Sequence, residues 1–320
     1  MRSLRRFLSN TPNLFGLGIV IFFFGVALAA PTLAPLPEEW LDTTIYIIPG
    51  VKAGLPMPPG QGARLGTVAL GVGRMQIDVY TTLVWGTRSA LVFGLTVAFA
   101  ASLIGVIVGA TSAFLGGRAN SLIMRITDAL LAFPVIAGVV LFGQMLNLLQ
   151  ERPVVLGAGF EPVEPTALQI FFSEVNPVLF ALILFSWMPY ARLTHSAVLR
   201  IKEAEFIQAA RALGAGPGRI VFRHLIPNSI APAVVLATAQ VGGMVLLQAA
   251  LEFIGLDAGS EWGALLAVGR RWMLGLMGNP LTYWWVFLPI TAALVVFGIG
   301  WNLLGDGVND WLNPRIEQTN

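Results

Sequence analysis

Six stretches of this chain carry no acidic or basic residue over roughly the length needed to cross a membrane. They cover residues 7–37, 89–117, 129–150, 175–191, 224–251 and 272–305. A helix needs about 20 predominantly apolar residues to span the hydrocarbon core of a bilayer. The fourth stretch is short, but it continues to Leu199 with Arg192 as the only added charge. We therefore expect an all-α membrane protein with six spans, at residues 14–35, 89–115, 127–149, 177–199, 229–251 and 281–304.

The composition supports the membrane class and argues against several kinds of site. Only 11% of the 320 residues are charged, against about 25% in soluble domains. Cysteine is absent, which excludes disulfides, thiolate metal sites and cysteine nucleophiles. With only two histidines and a net charge of +2, neither a zinc enzyme nor a nucleic-acid partner is indicated.

The positions of lysine and arginine predict which span ends face the cytoplasm, because cytoplasmic loops are enriched in these residues. With the N-terminus inside, the inner segments hold Arg2, Arg5, Arg6, Arg118, Arg125, Arg192, Arg200, Lys202, Arg211, Arg219, Arg223 and Arg315. The outer segments hold only Lys52, Arg64, Arg74, Arg88, Arg152, Arg270 and Arg271. This bias predicts both termini in the cytoplasm. The start of the chain also resembles a signal peptide, but its apolar run exceeds the usual length of roughly 7–15 residues, so we expect a retained first span.

The pattern indicates one membrane domain without a tandem repeat or a separate soluble domain. We expect a cytoplasmic N-terminal segment at 1–13, a first span at 14–35, an extracytoplasmic loop at 36–88, a five-helix core at 89–304 and a cytoplasmic tail at 305–320. The first loop is rich in proline and glycine, which predicts irregular structure on the membrane surface. Its end, MQIDVYTTLVWGTRSAL, suits a short interfacial helix. The second outer loop, 150–176, is acidic and contains prolines.

One inner connection, 200–227, is longer than the others and is interrupted by glycines. Its first half is rich in good helix formers, and Gly214 stands where a left-handed residue ends a helix. Pro217 suits the first turn of a second short helix, and Pro227 precedes the fifth span. The spacing predicts a helix–turn–helix with a basic rim and an apolar face that either docks into a partner or rests on lipid. That face is formed by Phe206, Ala209, Ala210 and Leu213.

The residues AARALGAGPGRIVFRHLIPN resemble the cytoplasmic EAA loop of the membrane subunits of ATP-binding-cassette (ABC) importers. The family pattern is Glu-Ala-Ala, three residues, Gly, nine residues and Ile-x-Leu-Pro. Its positions are occupied here by Gln208, Ala209, Ala210, Gly214, His224, Ile226 and Pro227. Two of them depart from the pattern, since Gln208 replaces glutamate and His224 replaces isoleucine. The segment is most similar to the oligopeptide/dipeptide/nickel branch, in the second of its two permeases.

The resemblance extends over nearly the whole chain. LGGRANSLIMRITDALLAFP at 115–134, LEFIGLDAGSEWGALLAVGR at 251–270 and NLLGDGVNDWLNPR at 302–315 are each similar to that branch. Two outer regions depart from it, because the 150–176 loop is long and the residues 65–79 lack the family's usual TDxLGRDxxSR. These departures concern the external partner and the substrate more than the mechanism.

The resemblance implies a type I ABC importer fold, with six transmembrane helices and a cytoplasmic coupling-helix loop, in a prokaryotic plasma (inner) membrane. In that family the chain forms a heterodimer with a second permease on two ABC ATPase subunits, and an extracytoplasmic solute-binding protein delivers peptides. ATP and Mg are bound by the ATPase subunits, so we expect no cofactor and no enzyme activity in this chain. A permease for nickel or a sugar is the alternative. The residues expected to couple to the ATPase are Glu205, Gln208, Ala209, Ala210, Gly214, His224 and Pro227.

Other polar residues and motifs yield weaker candidates. No GxxxxGK[ST] motif occurs, and GAGPGRI lacks the Lys-Ser/Thr that would follow it. Asp128, close to Arg125, predicts a structural contact, Arg88 predicts snorkelling, and Gly105 with Gly109 predicts close helix packing. Four residues share one face of the fifth span and either line the translocation path or bond to other helices. They are Gln240, Met244, Gln248 and Glu252.

Two other classes of function fit the sequence less well. An intramembrane enzyme requires paired aspartates, a His-Glu motif or a Ser/Lys dyad within the spans, and we find no such pattern. An ion-coupled secondary transporter is the more serious alternative, but it requires inverted repeats and unwound charged helices. The sequence shows no such repeat.

Overall fold

The apolar stretches form long helices in the computed structural model, which describes residues 7–36, 54–61, 63–69, 76–150, 176–273, 279 and 281–312. The loop predicted at 150–176 lies almost wholly outside the described residues. A π-helix covers Ile220–Leu225 and a 3₁₀ turn covers Arg270–Trp272. The α-helices are α1 Thr11–Leu33, α2 Val79–Leu115, α3 Gly117–Ala132, α4 Val135–Gln150, α5 Pro177–Ser186, α6 Met188–Ile201, α7 Glu205–Ala212, α8 Pro217–Arg219, α9 Ile226–Ser229, α10 Ala231–Phe253, α11 Glu261–Gly269 and α12 Trp284–Leu312.

Within the described residues, five helical segments are long and apolar enough to cross a membrane, and the bent pair α3–α4 makes a sixth if its two helices form one span. The five are α1, α2, α5 continued by α6, α10 and α12. This agrees with the all-α membrane class, although several bounds differ. Helix α2 starts at Val79, so most of the residues expected to form a short interfacial helix before the second span are its first turns, and Gln76–Asp78 form β2 instead. Helix α12 continues to Leu312, well into the predicted tail.

The third span is not the single helix that the sequence predicts over 127–149. Helices α3 and α4 meet at an angle of 89° across a short break. Pro134 lies in that break. Proline lacks a backbone N–H and disfavours helical conformation in the residue before it, so a helix ends there. The prediction was wrong because a run without charges records hydrophobicity and is insensitive to one proline.

A two-stranded antiparallel sheet replaces part of the irregular loop predicted at 36–88. Strand β1 covers Thr67–Ala69 and β2 covers Gln76–Asp78, with Thr67 opposite Asp78. Thr67 donates a 2.6 Å hydrogen bond to the side-chain oxygen of Gln76, and both residues are fully buried. The Gln76 amide in turn donates to the carbonyl of Leu55 at 3.2 Å. Such satisfied buried groups anchor the loop locally.

The chain divides into two compact units, of which the first combines Met1–Ala98 with Val234–Asn320. In this unit α1 packs along α12, and aromatic rings fill the space between the helices. The Phe23 and Phe297 rings meet edge-on with centroids 5.0 Å apart. The indole of Trp262 on α11 is 1% exposed and donates to the carbonyl of Leu83 at 3.1 Å. Edge-to-face pairs of this kind contribute beyond the area that they bury.

The second unit, Phe99–Ala233, is organised by a close crossing of α2 and α6. A Cβ atom on Gly105 would lie 2.4 Å from the carbonyl oxygen of Trp187. On Gly109 it would lie 2.3 Å from the carbonyl oxygen of Ala191. The two glycines therefore let the backbones of these helices touch, as the sequence predicts.

Polar side chains tie α3 into the same unit. Asp128 forms an ion pair with Arg192 of α6 rather than with the neighbouring Arg125. The side-chain oxygen of Asn120 accepts a hydrogen bond from Ser112 at 2.7 Å and lies 2.7 Å from Nε2 of His195. Helices α2, α3 and α6 are thus joined by a short chain of polar contacts in addition to apolar packing.

Candidate functional site

The connecting segment, residues 202–230 between α6 and α10, contains every residue expected to couple to an ATPase. It begins where Lys202 caps α6 through a bond from its backbone N–H to the carbonyl of Val198. Helix α7 then carries Glu205 in its first turn and Arg211 in its last. Both charges interact favourably with the helix dipole, because the acidic residue lies at its positive end and the basic residue at its negative end. The predicted first helix of the loop is therefore present, with a charge arrangement that stabilises it.

Gly214 ends α7 in a left-handed conformation, with φ of +80°. The N–H of Ala215 bonds to the carbonyl of Ala210 at 3.0 Å, and the N–H of Gly214 bonds to the carbonyl of Arg211 at 2.9 Å. This pair of bonds is a Schellman motif, which satisfies carbonyl groups that the end of a helix leaves free. A side chain at Gly214 would meet no atom within 4 Å. Glycine is required here by backbone conformation and not by space.

The second half of the segment is a π-helix between two short α-helices. Pro217 occupies the first turn of α8, as the sequence predicts. The π-helix over Ile220–Leu225 ends just before Pro227 in α9. The ring of a proline inside an α-helix clashes with the carbonyl of the residue four positions earlier. The wider turn of a π-helix relieves this clash. Asn228 and Ser229 donate side-chain bonds of 2.6 and 2.8 Å to carbonyls of that turn.

The inner face of the connecting segment is buried against α2 and α6. Ile207, which the sequence analysis did not single out, is 0% exposed. It contributes to an apolar cluster shared by the three elements, and this cluster fixes the position of the segment on the two spans. The cluster consists of Ala110, Ala113, Val198, Ile207, Ile220, Val221 and Leu225.

Two cationic contacts add to this anchorage. The Nζ atom of Lys202 donates to the carbonyl of Ala113 near the end of α2, at 3.5 Å. The guanidinium carbon of Arg211 lies 5.8 Å from the centroid of the Phe114 ring, within the range of cation–π attraction. No local sequence signal could have indicated these contacts, since their partners lie about a hundred residues apart in the chain.

The outer face of the segment presents apolar side chains to solvent. Leu213 is 88% exposed and Phe206 is 45% exposed. Phe222 on the π-helix, which the sequence analysis did not include, is 59% exposed. Arg211, Arg219 and Arg223 are exposed as well. An exposed apolar surface with a cationic rim is typical of a face that contacts a partner protein or a membrane.

The individual coupling candidates have different surroundings. Glu205, Gln208, Ala209, Gly214 and Pro227 are exposed. Ala210 and His224 are half-buried. The Gln208 amide donates to the carbonyl of Glu203 at 3.0 Å, within the segment itself. The residues therefore lie together on one segment, and their contact with an ATPase remains a prediction.

The four path candidates lie on α10, and the structure gives two of them a local role. Gln248 is 2% exposed and donates to the carbonyls of Ala258 and Gly259 at 2.9 and 3.1 Å. The Glu252 carboxylate accepts from the N–H groups of Ala258 and Ser260 at 2.8 and 3.2 Å. Both side chains hold the turn that follows α10. Gln240 is half-buried and Met244 is buried, and a place on the translocation path stays a prediction for all four.

The same turn leads to Glu261, a buried carboxyl group at the start of α11. Ser89 of α2 donates a hydrogen bond to it. Burial raises the pKa of Glu261 to about 7 from 4.5, although the Ser89 bond partly opposes the rise. The folded state therefore keeps a proton that the unfolded state releases between these two values, so stability falls as pH rises through this window.

We expect the Tm of the purified chain to decrease as the pH rises from about 5 to about 8, by an amount equivalent to roughly 3 kcal/mol of unfolding free energy. Glu261→Gln should remove most of this fall, because an amide does not titrate. Asp257→Asn is the matched control, since Asp257 is an exposed carboxylate in the same turn. Thermal unfolding in detergent across this pH range measures the effect. Equal pH dependence in wild type and Glu261→Gln would contradict it.

Comparison with known proteins agrees with this architecture. The family model of the binding-protein-dependent transport system inner membrane component matches residues 101–318. The model of the N-terminal TM domain of oligopeptide transport permease C matches residues 1–47. The first match includes α3 to α12 and the whole connecting segment.

Three relatives illustrate the similarity. A probable D,D-dipeptide transport system permease of Escherichia coli (strain K12) is 29% identical over 300 residues, which cover 93% of this chain and 85% of the relative. A di/tripeptide transport system permease of Pseudomonas aeruginosa (strain UCBPP-PA14) is 31% identical over 316 residues, covering 97% and 90%. A dipeptide transport system permease of Alkalihalophilus pseudofirmus is 32% identical over 243 residues, covering 75% and 69%.

The matched family model covers more than half of the chain, and two of the three relatives align with it almost from end to end. The helices found in the structure agree with a membrane component that crosses the bilayer several times. The chain is therefore a member of the binding-protein-dependent transport system inner membrane component family, the permease subunits of ABC transporters.

Proposed function

We propose that this chain is a permease subunit of an ATP-driven importer of di- or oligopeptides, and that its connecting segment docks on an ATPase subunit. The exposed apolar face of α7, held on a buried base, carries this proposal. Leu213, which directly follows α7, is 88% exposed, whereas Ile207 within the helix is fully buried. Contact between such apolar side chains and water is unfavourable, and a partner that covers them removes this cost.

The proposed mechanism follows from how the segment is anchored. Ile207, Ile220 and Leu225 pack against α2 and α6, so a displacement of the segment is transmitted directly to those spans. Closure of an ATPase dimer on ATP would pull the segment and change access to the translocation path. ATP and Mg belong to the partner subunits in this proposal. A second permease completes the path, and an external solute-binding protein supplies the peptide.

The peptide substrate is proposed from the relatives, whose names describe dipeptide and di/tripeptide systems. The proposed orientation places both termini in the cytoplasm. The basic connecting segment then lies on the cytoplasmic side, where it can reach the ATPase. Gln240, Met244, Gln248 and Glu252 are proposed to contribute to the path from α10. Uptake of labelled dipeptide by membranes that contain the complete system tests the substrate class.

A cross-linking experiment tests the docking directly, because the chain contains no cysteine. Leu213→Cys introduces a single thiol at the most exposed apolar position of this face. We expect it to react, through a short bifunctional reagent that joins thiols to amines, with an ATPase subunit identified by mass spectrometry. Leu141→Cys is the matched control, because Leu141 is 67% exposed on α4 and lies in a candidate span.

Two results of this experiment would exclude the proposed role. Labelling of Leu213→Cys by membrane-embedded lipid reagents without any ATPase adduct would favour a helix that rests on lipid. Purification of the chain without an ATPase under gentle solubilisation would reopen the ion-coupled secondary transporter. Recovery of an ATPase adduct from both variants alike would show that the reaction is not specific to the face.

A further inference from the structure

A cavity of about 420 Å³ lies in the first unit between α1, α2 and α12. Its walls are almost entirely apolar and include Phe22, Leu33 and Val296. Tyr80 and Thr87 of α2 contribute the only hydroxyl groups among the residues that line it. The connecting segment and the four path candidates contribute nothing to the lining. This cavity is therefore separate from the proposed coupling and translocation surfaces.

The length of the cavity corresponds to half of a bilayer. Helix α1 has 23 residues, or about 35 Å, which matches a hydrocarbon core of about 30 Å. The residues of α1 that line the cavity extend from Phe22 to Leu33, a rise of about 16 Å along the helix. The cavity thus runs from the middle of the span to one membrane surface, which is the path of one acyl chain in one leaflet.

The end at Leu33 carries the groups expected at a lipid headgroup. The carbonyl of Leu33 accepts bonds from Arg64 at 3.1 Å and from the Tyr80 hydroxyl at 3.2 Å. The guanidinium carbon of Arg64 lies 4.8 Å from the centroid of the Tyr80 ring. The Trp85 indole donates to the carbonyl of Ala34 at 2.8 Å. Tyrosine, tryptophan and arginine at this level are typical of the membrane interface.

Arg64 has unused donor capacity at this position. Its side chain is exposed, and no carboxylate pairs with it among the residues that the structure describes. A guanidinium carries five N–H donors and binds phosphate in bidentate fashion. The charge at the mouth of the cavity therefore complements a phosphate group, and the apolar interior complements a hydrocarbon chain.

We propose that this cavity binds an anionic phospholipid, with one acyl chain between α1, α2 and α12 and the phosphate against Arg64. The acyl chain gains little from leaving the bilayer, since lipid tails are equally apolar. The preference must therefore come from the headgroup charge.

Native mass spectrometry of the detergent-purified, delipidated chain tests this inference. The probes are dioleoyl phosphatidylglycerol, which is anionic, and dioleoyl phosphatidylcholine, which has the same tails without net charge. We expect one retained phosphatidylglycerol on the wild type. Arg64→Gln should reduce the preference for the anionic lipid about fivefold, as expected for one basic residue near an anionic headgroup. Arg64→Lys should keep most of it, and Arg271→Gln should leave it unchanged.

A pair of neighbouring valines provides the matched test of the acyl site. Val296 lines the cavity, whereas Val295 is 50% exposed on the same helix and does not line it. Val296→Phe should abolish the retained lipid, and Val295→Phe should retain it. Equal lipid retention in these two variants, or no retained lipid on the wild type, would overturn the proposal. Retention that does not distinguish the two lipids would show an acyl site without the phosphate contact, and would overturn the assignment to Arg64.

Discussion

Gly214→Val is expected to lower peptide uptake strongly while leaving the chain in its complex with the proposed ATPase. Gly214 has φ of +80° and completes the Schellman motif that ends α7. A residue with a side chain costs about 1–2 kcal/mol in this conformation, and a β-branched residue costs more. The turn between α7 and α8 must then change. The exposed face around Leu213 moves with it, whereas the buried base at Ile207 does not depend on Gly214.

The effect is expected on coupling more than on folding, since a side chain at Gly214 would meet no other atom within 4 Å. Transport in proteoliposomes should fall about tenfold or more, in line with 1–2 kcal/mol of strain at the turn. ATP hydrolysis by the assembled complex should persist but no longer respond to the external binding protein. Measuring both rates in the same preparation separates uncoupling from loss of protein.

Gly216→Val is the matched control for this prediction. Gly216 is also surrounded by open space, but its φ of −68° is accessible to any residue. Gly214→Asn should restore part of the transport, because asparagine adopts the left-handed conformation more readily than valine. Wild-type uptake by Gly214→Val would remove the assigned role. Equal damage from Gly216→Val would show that any added bulk in the segment is harmful.

The sequence predicts the existence of the spans well and their breaks poorly. Long runs without charge must become helices in a membrane, because every backbone polar group has to be satisfied within the segment. That argument places both ends of α1 and α10 and the start of α12 to within about three residues, whereas α12 ends at Leu312 and not at 304. It misses the 89° bend between α3 and α4, since one proline changes hydrophobicity little and backbone direction greatly.

The connecting segment shows a similar division between local and distant information. Gly214 and Pro217 are local signals, and the structure places them at a helix end and a helix start as expected. Which side of α7 is buried depends on Ala110, Ala113 and Val198, about ten to a hundred residues away. Periodicity identifies a face but not the surface that it meets. Ile207 was missed for this reason, whereas Phe206 beside it, predicted on the apolar face, is 45% exposed.

The pattern on α10 is another case in which spacing indicates a shared face but not its contacts. Gln248 and Glu252 recur one helical turn apart, as the sequence shows. Their hydrogen bonds go to the backbone of Ala258, Gly259 and Ser260. Those contacts depend on the turn that starts at Gly255, whose φ is +96°. Because this turn geometry is not evident from the sequence, spacing alone does not distinguish a carboxylate that lines the path from one that caps a loop.

Gly109→Val is expected to remove most of the folded chain from the membrane. The added Cβ would lie 2.3 Å from the carbonyl oxygen of Ala191 and 3.0 Å from the backbone nitrogen of His195. Both are backbone atoms, so no rotamer change can relieve the overlap, and α2 and α6 must separate. Overpacking of this kind costs about 3 kcal/mol or more. Size-exclusion profiles of the tagged chain after mild extraction, with its Tm, measure the loss.

Gly18→Val separates this packing effect from the general cost of valine in a membrane helix. Gly18 lies within α1, and a Cβ there would meet nothing within 4 Å. Its substitution should leave the amount and the Tm of the folded chain near wild type. Ala191→Gly should not rescue Gly109→Val, because the overlap is with the carbonyl oxygen and not with the Ala191 side chain. Rescue by that second change would show that α6 contacts α2 at this point through the Ala191 side chain. It would contradict the claim that backbone contact at Gly109 sets the distance between the two helices.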